Sequence, residues 1–298
     1  MWFWLAIIAL LCWSGSDLFS KIGSKPSDKY SHYKMVMAVG FVMGLHAFYE
    51  IFANGVSVTM KDFLLYLPVS FLYILSMTIG YVGLRYIELS ISSPICNSSG
   101  ALASLLCAIF LGQKMNLIQT VAVVIVCIGV VGLGVVEMYE DTELREKRQE
   151  KANVKYSKSI IALLFPLLYC LIDAIGTVAD SIVLETLNEN VALVCYELTF
   201  FMIGVLSFFY VVGIKKEKLR IETEGPKLMG ATFETAGQFA YIYAISANAI
   251  LAAPVISAYC MASVIWSRIF LKEKLSWKHY LMIVVCVIGI VILGAFGE

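Results

Sequence analysis

The sequence predicts an all-α integral membrane protein with ten transmembrane helices, arranged as two inverted five-helix repeats. Three observations support this fold class: the composition, the number of long apolar runs, and a repeat within the chain. Of the 298 residues, 60% are hydrophobic and only 15% are charged. Soluble proteins carry about 25% charged residues, so this chain is expected to lie mainly within a lipid bilayer.

Long apolar runs give the expected positions of the membrane-spanning helices. A helix needs roughly 20 apolar residues to cross the hydrocarbon core, and such runs recur along the whole chain. The first run, “MWFWLAII”, lacks the basic start and the cleavage site of a signal peptide, so we expect a permanent span. The ten expected spans are 2–22, 31–53, 62–86, 90–112, 116–138, 158–183, 190–213, 227–246, 249–271 and 277–296.

Basic residues are distributed unevenly among the loops that connect these spans. Every Lys and Arg except Lys61 and Lys114 lies in or beside an odd-numbered loop. Because positively charged loops stay in the cytoplasm, the odd-numbered loops are expected to be cytoplasmic. With an even number of spans, both termini then lie outside. The short loops fit a multi-pass protein of a bacterial inner membrane.

The two halves of the chain share a pattern at a fixed offset of 160 residues. The segment “YVGLRYIELSISSPICNSSGALASLLCAIFLGQKM” (81–115) matches “YIYAISANAILAAPVISAYCMASVIWSRIFLKEKL” (241–275) in layout. Pro94 corresponds to Pro254, and shared glycines continue the same register beyond both segments. A common offset over several spans is harder to obtain by chance than one matched residue.

The repeat divides the chain into two five-helix units. The expected units are 1–138 and 158–298, separated by a charged linker at 139–157. Because five is odd, the second unit must enter the membrane upside down relative to the first. Many secondary transporters are built from inverted repeats, with the substrate site near the midplane between the halves.

The last two spans carry the most distinctive sequence. The segment “APVISAYCMASVIWSRIFLKEKLSWKHYLMIVVCVIGIVIL” (253–293) has a small-residue and proline start, an aromatic-Leu-x-Glu-Lys end and a glycine-bearing final helix. It resembles the drug/metabolite transporter superfamily, in particular its EamA-type members. The first copy departs from that pattern at Gly112-Gln113, where the family usually has Leu-Gly-Glu. The resemblance covers essentially the whole chain and implies a transporter fold, but it leaves the substrate open.

The first span contains an ionisable residue in an otherwise apolar segment. Ser14, Asp17 and Lys21 share one helix face at i, i+3 and i+7. Charged residues within a span tend to face a cavity or a partner, so Asp17 and Ser14 are candidates for substrate binding or coupling. The alternative is a structural ion pair, because the i,i+4 spacing lets Asp17 reach Lys21.

The sixth span presents a similar polar face, with Asp173, Thr177 and Asp180 at i, i+4 and i+7. An offset of 156 residues aligns the run that ends at Asp173 with the run from Trp13 to Asp17. The two halves are therefore expected to present one aspartate each to the same cavity. A mid-span carboxylate suits a proton or cation site. The alternative is a protonated Asp173 hydrogen-bonded to a neighbouring helix.

The eighth span has a third polar face, formed by Glu234, Gln238 and Tyr241 at i, i+4 and i+7. These residues are candidates for the cavity wall. Hydrogen bonding between helices is the alternative role, because polar side chains also hold membrane helices together.

The starts of the fourth and ninth spans are also candidate cavity walls. Ser93 and Asn97 share a helix face, and Pro94 between them frees a backbone carbonyl. Such a break is tolerated at membrane depth where neighbours or water satisfy it. The repeat partner carries Ser257 and Tyr259 after its equivalent proline.

Three further ionisable residues are weaker candidates. His46 and Glu50 form an i,i+4 pair near the outer rim of the second span, where an interfacial role is favoured. Glu197 in the seventh span, beside Tyr196 and Thr199, is expected to face the cavity.

The sequence does not favour an enzyme, a cofactor or a metal site. The eight cysteines form no C-x-x-C pair, and the three histidines are scattered. No G-x-x-x-x-G-K-[ST] motif occurs, so we do not expect ATP hydrolysis. No nucleic-acid partner is expected either.

The expected function is transport of a small polar metabolite, cationic or zwitterionic, such as an amino acid or amine. Transport would be secondary-active or facilitative and would use alternating access around a central cavity between the repeats. The alternatives are a non-transporting membrane scaffold or receptor, and a carrier for a phosphorylated or nucleotide-sugar substrate. Expected partners are the substrate and the lipid bilayer. A proton or other coupling ion, and a monomer or homodimer, remain open.

Overall fold

The computed structural model describes residues 1–24, 28–87, 89–112, 114–139, 160–272 and 275–296. Over these residues the chain is helical and contains no β-strand. The predicted charged linker falls outside this part of the chain after Tyr139, and Gln113 of the repeat also lies outside it.

Eleven helices follow one another along the described residues. Those before the linker are α1 (Trp2–Gly23), α2 (Ser31–Phe52), α3 (Met60–Gly83), α4 (Leu89–Asn97), α5 (Ser99–Phe110) and α6 (Leu117–Met138). Those after it are α7 (Ile160–Leu184), α8 (Glu189–Phe208), α9 (Ile221–Ser257), α10 (Tyr259–Phe270) and α11 (Trp277–Phe296). A π-helical segment, Phe209–Ile214, continues α8.

Side chains at two helix starts explain where those helices begin. Thr59 and Asp62 form a reciprocal capping box at the start of α3, in which each side chain accepts from the other residue's backbone N–H. At the start of α8, the Asn188 side chain accepts from the backbone N–H of Asn190. Both caps satisfy amide groups that have no partner within the helix.

Eight helical stretches in the described residues are long and apolar enough to cross a membrane, which makes this a multi-pass membrane protein. One of them runs through α9 and α10, from Ile221 to Phe270, and is 50 residues long. A straight helix of that length would extend about 75 Å, more than twice the ~30 Å of a bilayer core. Asn248 interrupts it with non-helical dihedral angles (φ −167°, ψ 84°).

The predicted spans eight and nine therefore meet at a break inside α9, without an intervening loop. The Asn248 side chain accepts from the backbone N–H of Leu251 at 3.2 Å and so caps the helical segment that follows. In addition to the eight long stretches, Trp277–Leu293 is a shorter apolar helix. The count of ten spans stays a prediction.

A second type of break occurs at equivalent positions of the two halves. Ser98 separates α4 from α5, and Ala258 separates α9 from α10. The backbone N–H of each donates to the carbonyl of the proline four residues earlier, Pro94 at 3.1 Å and Pro254 at 3.2 Å. The same turn thus recurs at the offset of 160 residues.

Helix packing relates the two halves reciprocally. The most extensive contact is that of α1 with α9, and its counterpart in the repeat is the contact of α3 with α7. The others are α2 with α8, α6 with α11, α5 with α9, and α4 with α10. Exchanging each helix for its counterpart in the other half converts the α1–α9 pair into the α7–α3 pair, and the α5–α9 pair into the α10–α4 pair. The α2–α8 and α6–α11 pairs are unchanged by the exchange.

Candidate functional site

A central cavity lies between the two halves and encloses about 940 Å³ not filled by atoms, including the part open to solvent. Residues of α1, α3, α4, α5, α7, α8, α9 and α10 line it, so both halves contribute. Eleven of the thirteen predicted site residues are in this lining: Trp13, Asp17, Ser93, Asn97, Asp173, Thr177, Glu234, Gln238, Tyr241, Ser257 and Tyr259.

Asp17 is held by serines from two different helices. Its Oδ2 accepts hydrogen bonds from the Oγ atoms of Ser93 on α4, at 2.5 Å, and of Ser263 on α10, at 2.8 Å. The Asp17 side chain is only partly buried because it faces the cavity. Its position therefore links one helix of each half to α1.

Lys21 bonds to carbonyl groups at the end of α3. Its Nζ donates to the carbonyl oxygens of Leu84 and Ile87, both at 2.8 Å. Among the described residues, no ion pair joins Lys21 to Asp17. The local pair that the i,i+4 spacing allows is therefore not formed, and both side chains have partners in other parts of the chain.

Asp173 and Glu234 supply two more carboxylates to the cavity. Oδ2 of Asp173 accepts from Ser99 Oγ at 2.7 Å, and Oε2 of Glu234 accepts from Ser16 Oγ at 2.7 Å. No Lys or Arg of the described chain lines the cavity. Nor do its residues form a group of three or more His, Cys, Asp and Glu side chains that could hold a metal ion. The electrostatic character of the cavity is acidic.

Aromatic side chains form much of the remaining wall. The ring of Trp13 lies 5.0 Å from that of Tyr241 and 5.9 Å from that of Tyr259, centroid to centroid. Trp13 Nε1 also donates to the backbone carbonyl of Glu234 at 3.3 Å. Aromatic faces beside carboxylates attract cations, because the ring quadrupole is negative at its face.

Sequence reasoning missed four tyrosines of the lining, Tyr73, Tyr81, Tyr169 and Tyr196. Two signals were present. Tyr81 is the repeat counterpart of Tyr241, and Tyr169 is that of Trp13 at the offset of 156 residues. The lining role of Tyr73 and Tyr196 has no such signal, since each depends on how its helix is rotated in the bundle.

Three buried polar atoms of the lining have no hydrogen-bond partner within the described protein. They are Ser20 Oγ, Tyr81 Oη and Gln238 Nε2. Buried polar groups are normally hydrogen-bonded, and these three belong to residues of the cavity wall. They can therefore bond to a solute inside it.

The structure places two predicted residues outside the lining. Asp180 is fully buried and accepts from Tyr66 Oη at 2.7 Å and from Tyr73 Oη at 3.4 Å. Tyr73 Oη is also hydrogen-bonded to Tyr241 Oη. Asp180 shares a helix face with the cavity residue Thr177, but the tyrosines of α3 cover it. This tyrosine–aspartate cluster adjoins the cavity, because Tyr73 and Tyr241 also line it.

Ser14, the other exception, also bonds within the helical bundle. Its Oγ donates to the carbonyl of Leu11 at 2.8 Å and accepts from Trp266 Nε1 at 3.1 Å. It joins α1 to α10 and does not line the cavity.

Ion pairs connect the segment before α2 with the start of α9. Lys34 Nζ lies 3.1 Å from Asp28 and 3.5 Å from Glu224. Lys227 Nζ lies 2.7 Å from Glu224 and 3.6 Å from Asp28. Both lysines are buried, so each needs its acidic partners. This cluster ties the two halves together at the end of the bundle opposite the tyrosine–aspartate cluster.

Comparisons with known proteins identify a family. The family model for the EamA-like transporter family matches residues 1–135 and again residues 160–295. A solved structure titled “Crystal structure of protein” is similar over 98% of this chain and 95% of its own, with a TM-score of 0.67 and 14% identity. At that identity the likeness concerns the fold alone. No curated protein matches the chain.

Proposed function

Because the chain belongs to the EamA-like transporter family, whose members are membrane transporters of small molecules, we propose that it carries a small cationic or zwitterionic metabolite, such as an amino acid or amine. The central cavity is the proposed substrate site. Alternating access, with the two halves rocking about that cavity, is the proposed mechanism.

The single observation that carries the substrate class is the charge of the cavity. Asp17, Asp173 and Glu234 line it, and no Lys or Arg of the described chain is in the lining. Carboxylates removed from bulk water need a cationic partner or a proton. An ammonium group meets this need directly, and Trp13 offers its aromatic face nearby.

The unpartnered polar atoms support a substrate that has an acceptor as well as an ammonium group. Gln238 Nε2 is a donor, and the hydroxyls of Tyr81 and Ser20 can donate or accept. A carboxylate or hydroxyl of the substrate could bond to them. A phosphorylated or nucleotide-sugar substrate fits poorly, because phosphate recognition favours Arg and Lys.

The membrane arrangement is part of the proposal. We take Ile221–Phe270 to cross twice, turning at Asn248, so that the chain has ten spans in two inverted units, 1–138 and 158–298. Odd-numbered loops are cytoplasmic and both termini are outside, in a bacterial inner membrane. The reciprocal helix pairs and the paired breaks at Ser98 and Ala258 support the repeat.

Counterflow in proteoliposomes tests this function. Vesicles that contain the purified protein are loaded with one unlabelled candidate and diluted into a trace of the same labelled compound. The panel contains amino acids, primary and quaternary amines, sugars and sugar phosphates. Transient accumulation with amines or amino acids, absent from protein-free vesicles, supports the proposal. Accumulation of sugar phosphates alone, or of no compound, would contradict it.

A further inference from the structure

An ionisable cluster at the interface of α2 and α8 lies apart from the central cavity. It consists of His46, Glu50 and Glu197, none of which is in the cavity lining. We propose that this triad is a proton-binding site whose proton exchange drives substrate movement through the central cavity. This inference rests on the proposed transport function.

Glu197 is the buried member of the triad. Its side chain is 0% exposed, and both of its carboxylate oxygens lie 2.9 Å from Nδ1 of His46. A carboxylate so placed within a membrane helix needs compensation from a cation or a proton. The His46 ring, on the facing helix, is the group that supplies it.

Glu50 and Asn54 connect the buried pair to the surface. Nε2 of His46 lies 3.5 Å from Oε1 of Glu50. Oε2 of Glu50 accepts from Nδ2 of Asn54 at 3.0 Å, and Asn54 is exposed just beyond the end of α2. The His46 side chain is 28% exposed. A proton can therefore reach Glu197 from the aqueous rim through groups that already contact one another.

The charge balance of the triad allows it to bind one proton. An imidazolium between two carboxylates has a net charge of −1, and one added proton makes the cluster neutral. No bond to a substrate forms or breaks in this exchange. In the proposed cycle the proton enters from water at the rim beside Asn54 and leaves to water on the other side in the alternate conformation of the two halves.

Neighbouring helices bring few other ionisable groups to the triad. On α9, Phe239 packs its ring 6.0 Å from that of His46, and Tyr243 bonds to Asn190. Glu189, at the start of α8, accepts from Ser246 Oγ at 2.6 Å. On α3, Asp62 is bonded to Thr59 at its own helix start.

The position of the triad explains how a proton could affect transport. The helices α2 and α8 are counterparts in the two halves, so the proposed rocking of the halves would move His46 relative to Glu197. The same helix α8 carries Tyr196, which lines the cavity and packs on Tyr73 of the tyrosine–aspartate cluster. Binding of a proton at Glu197 thus acts on a helix that also forms the cavity wall.

The test compares two assays on the full-length protein in proteoliposomes. One is counterflow, which needs no driving force. The other is accumulation driven by a pH gradient of one unit, imposed in either direction with the membrane potential clamped. Exchange of one proton for one substrate molecule permits about tenfold accumulation per pH unit. The variants are Glu197→Gln and His46→Gln, and Glu185→Gln, an exposed carboxylate just after α7, is the control.

The proposal expects wild type and Glu185→Gln to accumulate substrate, and both triad variants to lose accumulation but retain counterflow. Any of three results would overturn the proposal: Glu197→Gln still accumulates substrate, Glu197→Gln loses counterflow as well as accumulation, or wild type shows counterflow without accumulation. Absence of counterflow in wild type would instead contradict the transport function itself.

A second measurement does not depend on transport. Purified wild type and Glu197→Gln are taken through a pH jump with an indicator dye. Wild type is expected to take up about one proton per chain more than the variant, from the charge balance given above. Equal uptake by both proteins would overturn the proposal.

Discussion

Gly129 of α6 and Gly289 of α11 are counterparts in the repeat, and the residues that they contact on the opposite helix are counterparts too. A Cβ added at Gly129 would lie 2.8 Å from the backbone nitrogen of Cys286. One added at Gly289 would lie 2.9 Å from that of Val126, which corresponds to Cys286 at the offset of 160 residues. The two helices thus touch with two-fold reciprocity.

We expect Gly129→Ala and Gly289→Ala to destabilise the protein to a similar extent. Each new methyl group would meet backbone atoms that cannot move aside, and overpacking of this kind costs about 1–3 kcal/mol. Thermal unfolding of the detergent-solubilised variants measures the effect. Gly213→Ala is the control, because nothing lies within 4 Å of a Cβ there. If only one of the two variants were destabilised, the reciprocal packing would be wrong.

Asp173→Asn should strongly reduce transport of a cationic substrate and leave the fold intact. The change removes the charge but keeps a side chain of the same shape beside Ser99. Since hydrogen bonds to charged groups contribute about 1.5–3 kcal/mol, we expect the counterflow rate to fall at least about tenfold. Gel filtration and thermal unfolding check the fold, and Asp62→Asn on the rim of α3 is the control. Undiminished transport by Asp173→Asn would contradict its role in substrate binding.

Tyr66→Phe should reduce stability without changing the cavity lining. It removes the hydroxyl that donates to the fully buried Asp180, and an unsatisfied buried acceptor costs about 1–3 kcal/mol. The expected result is a lower unfolding temperature than that of Tyr49→Phe, whose ring is exposed. Equal unfolding temperatures for the two variants would show that the tyrosine–aspartate cluster does not hold α3 to α7.

The sequence was most informative where a local pattern determines the structure. Pro94 and Pro254 were predicted to be repeat counterparts, and the same one-residue interruption follows four residues after each of them. The helical periodicity at Asp17 and Asp173 predicted which face is polar, and both carboxylates line the cavity.

Sequence reasoning failed where partners come from distant parts of the chain. The spacing that places Asp180 on the face of Thr177 cannot reveal that Tyr66 covers it. Lys21 lies one turn from Asp17, yet its partners include carbonyls at the end of α3. The contact of His46 with Glu197 joins residues 151 positions apart and leaves no local pattern.

Cysteine labelling tests the membrane arrangement. In a cysteine-free background, we expect Ala247→Cys to react with an impermeant maleimide from outside the cell. Lys215→Cys and Lys272→Cys should react only after permeabilisation, because the odd-numbered loops carry the basic residues. All three side chains are exposed. Labelling of all three from one side would contradict the double crossing of Ile221–Phe270.

Protection of Cys96 by substrate tests the central claim, that the cavity is the substrate site. Its thiol lines the cavity near Ser93, and the other seven cysteines can be replaced. With substrate at ten times its Kd, about one site in ten stays empty. The modification rate of Cys96 by a small thiol reagent should then fall about tenfold, and the modified protein should not transport. An unchanged rate in the presence of a transported substrate would contradict the claim.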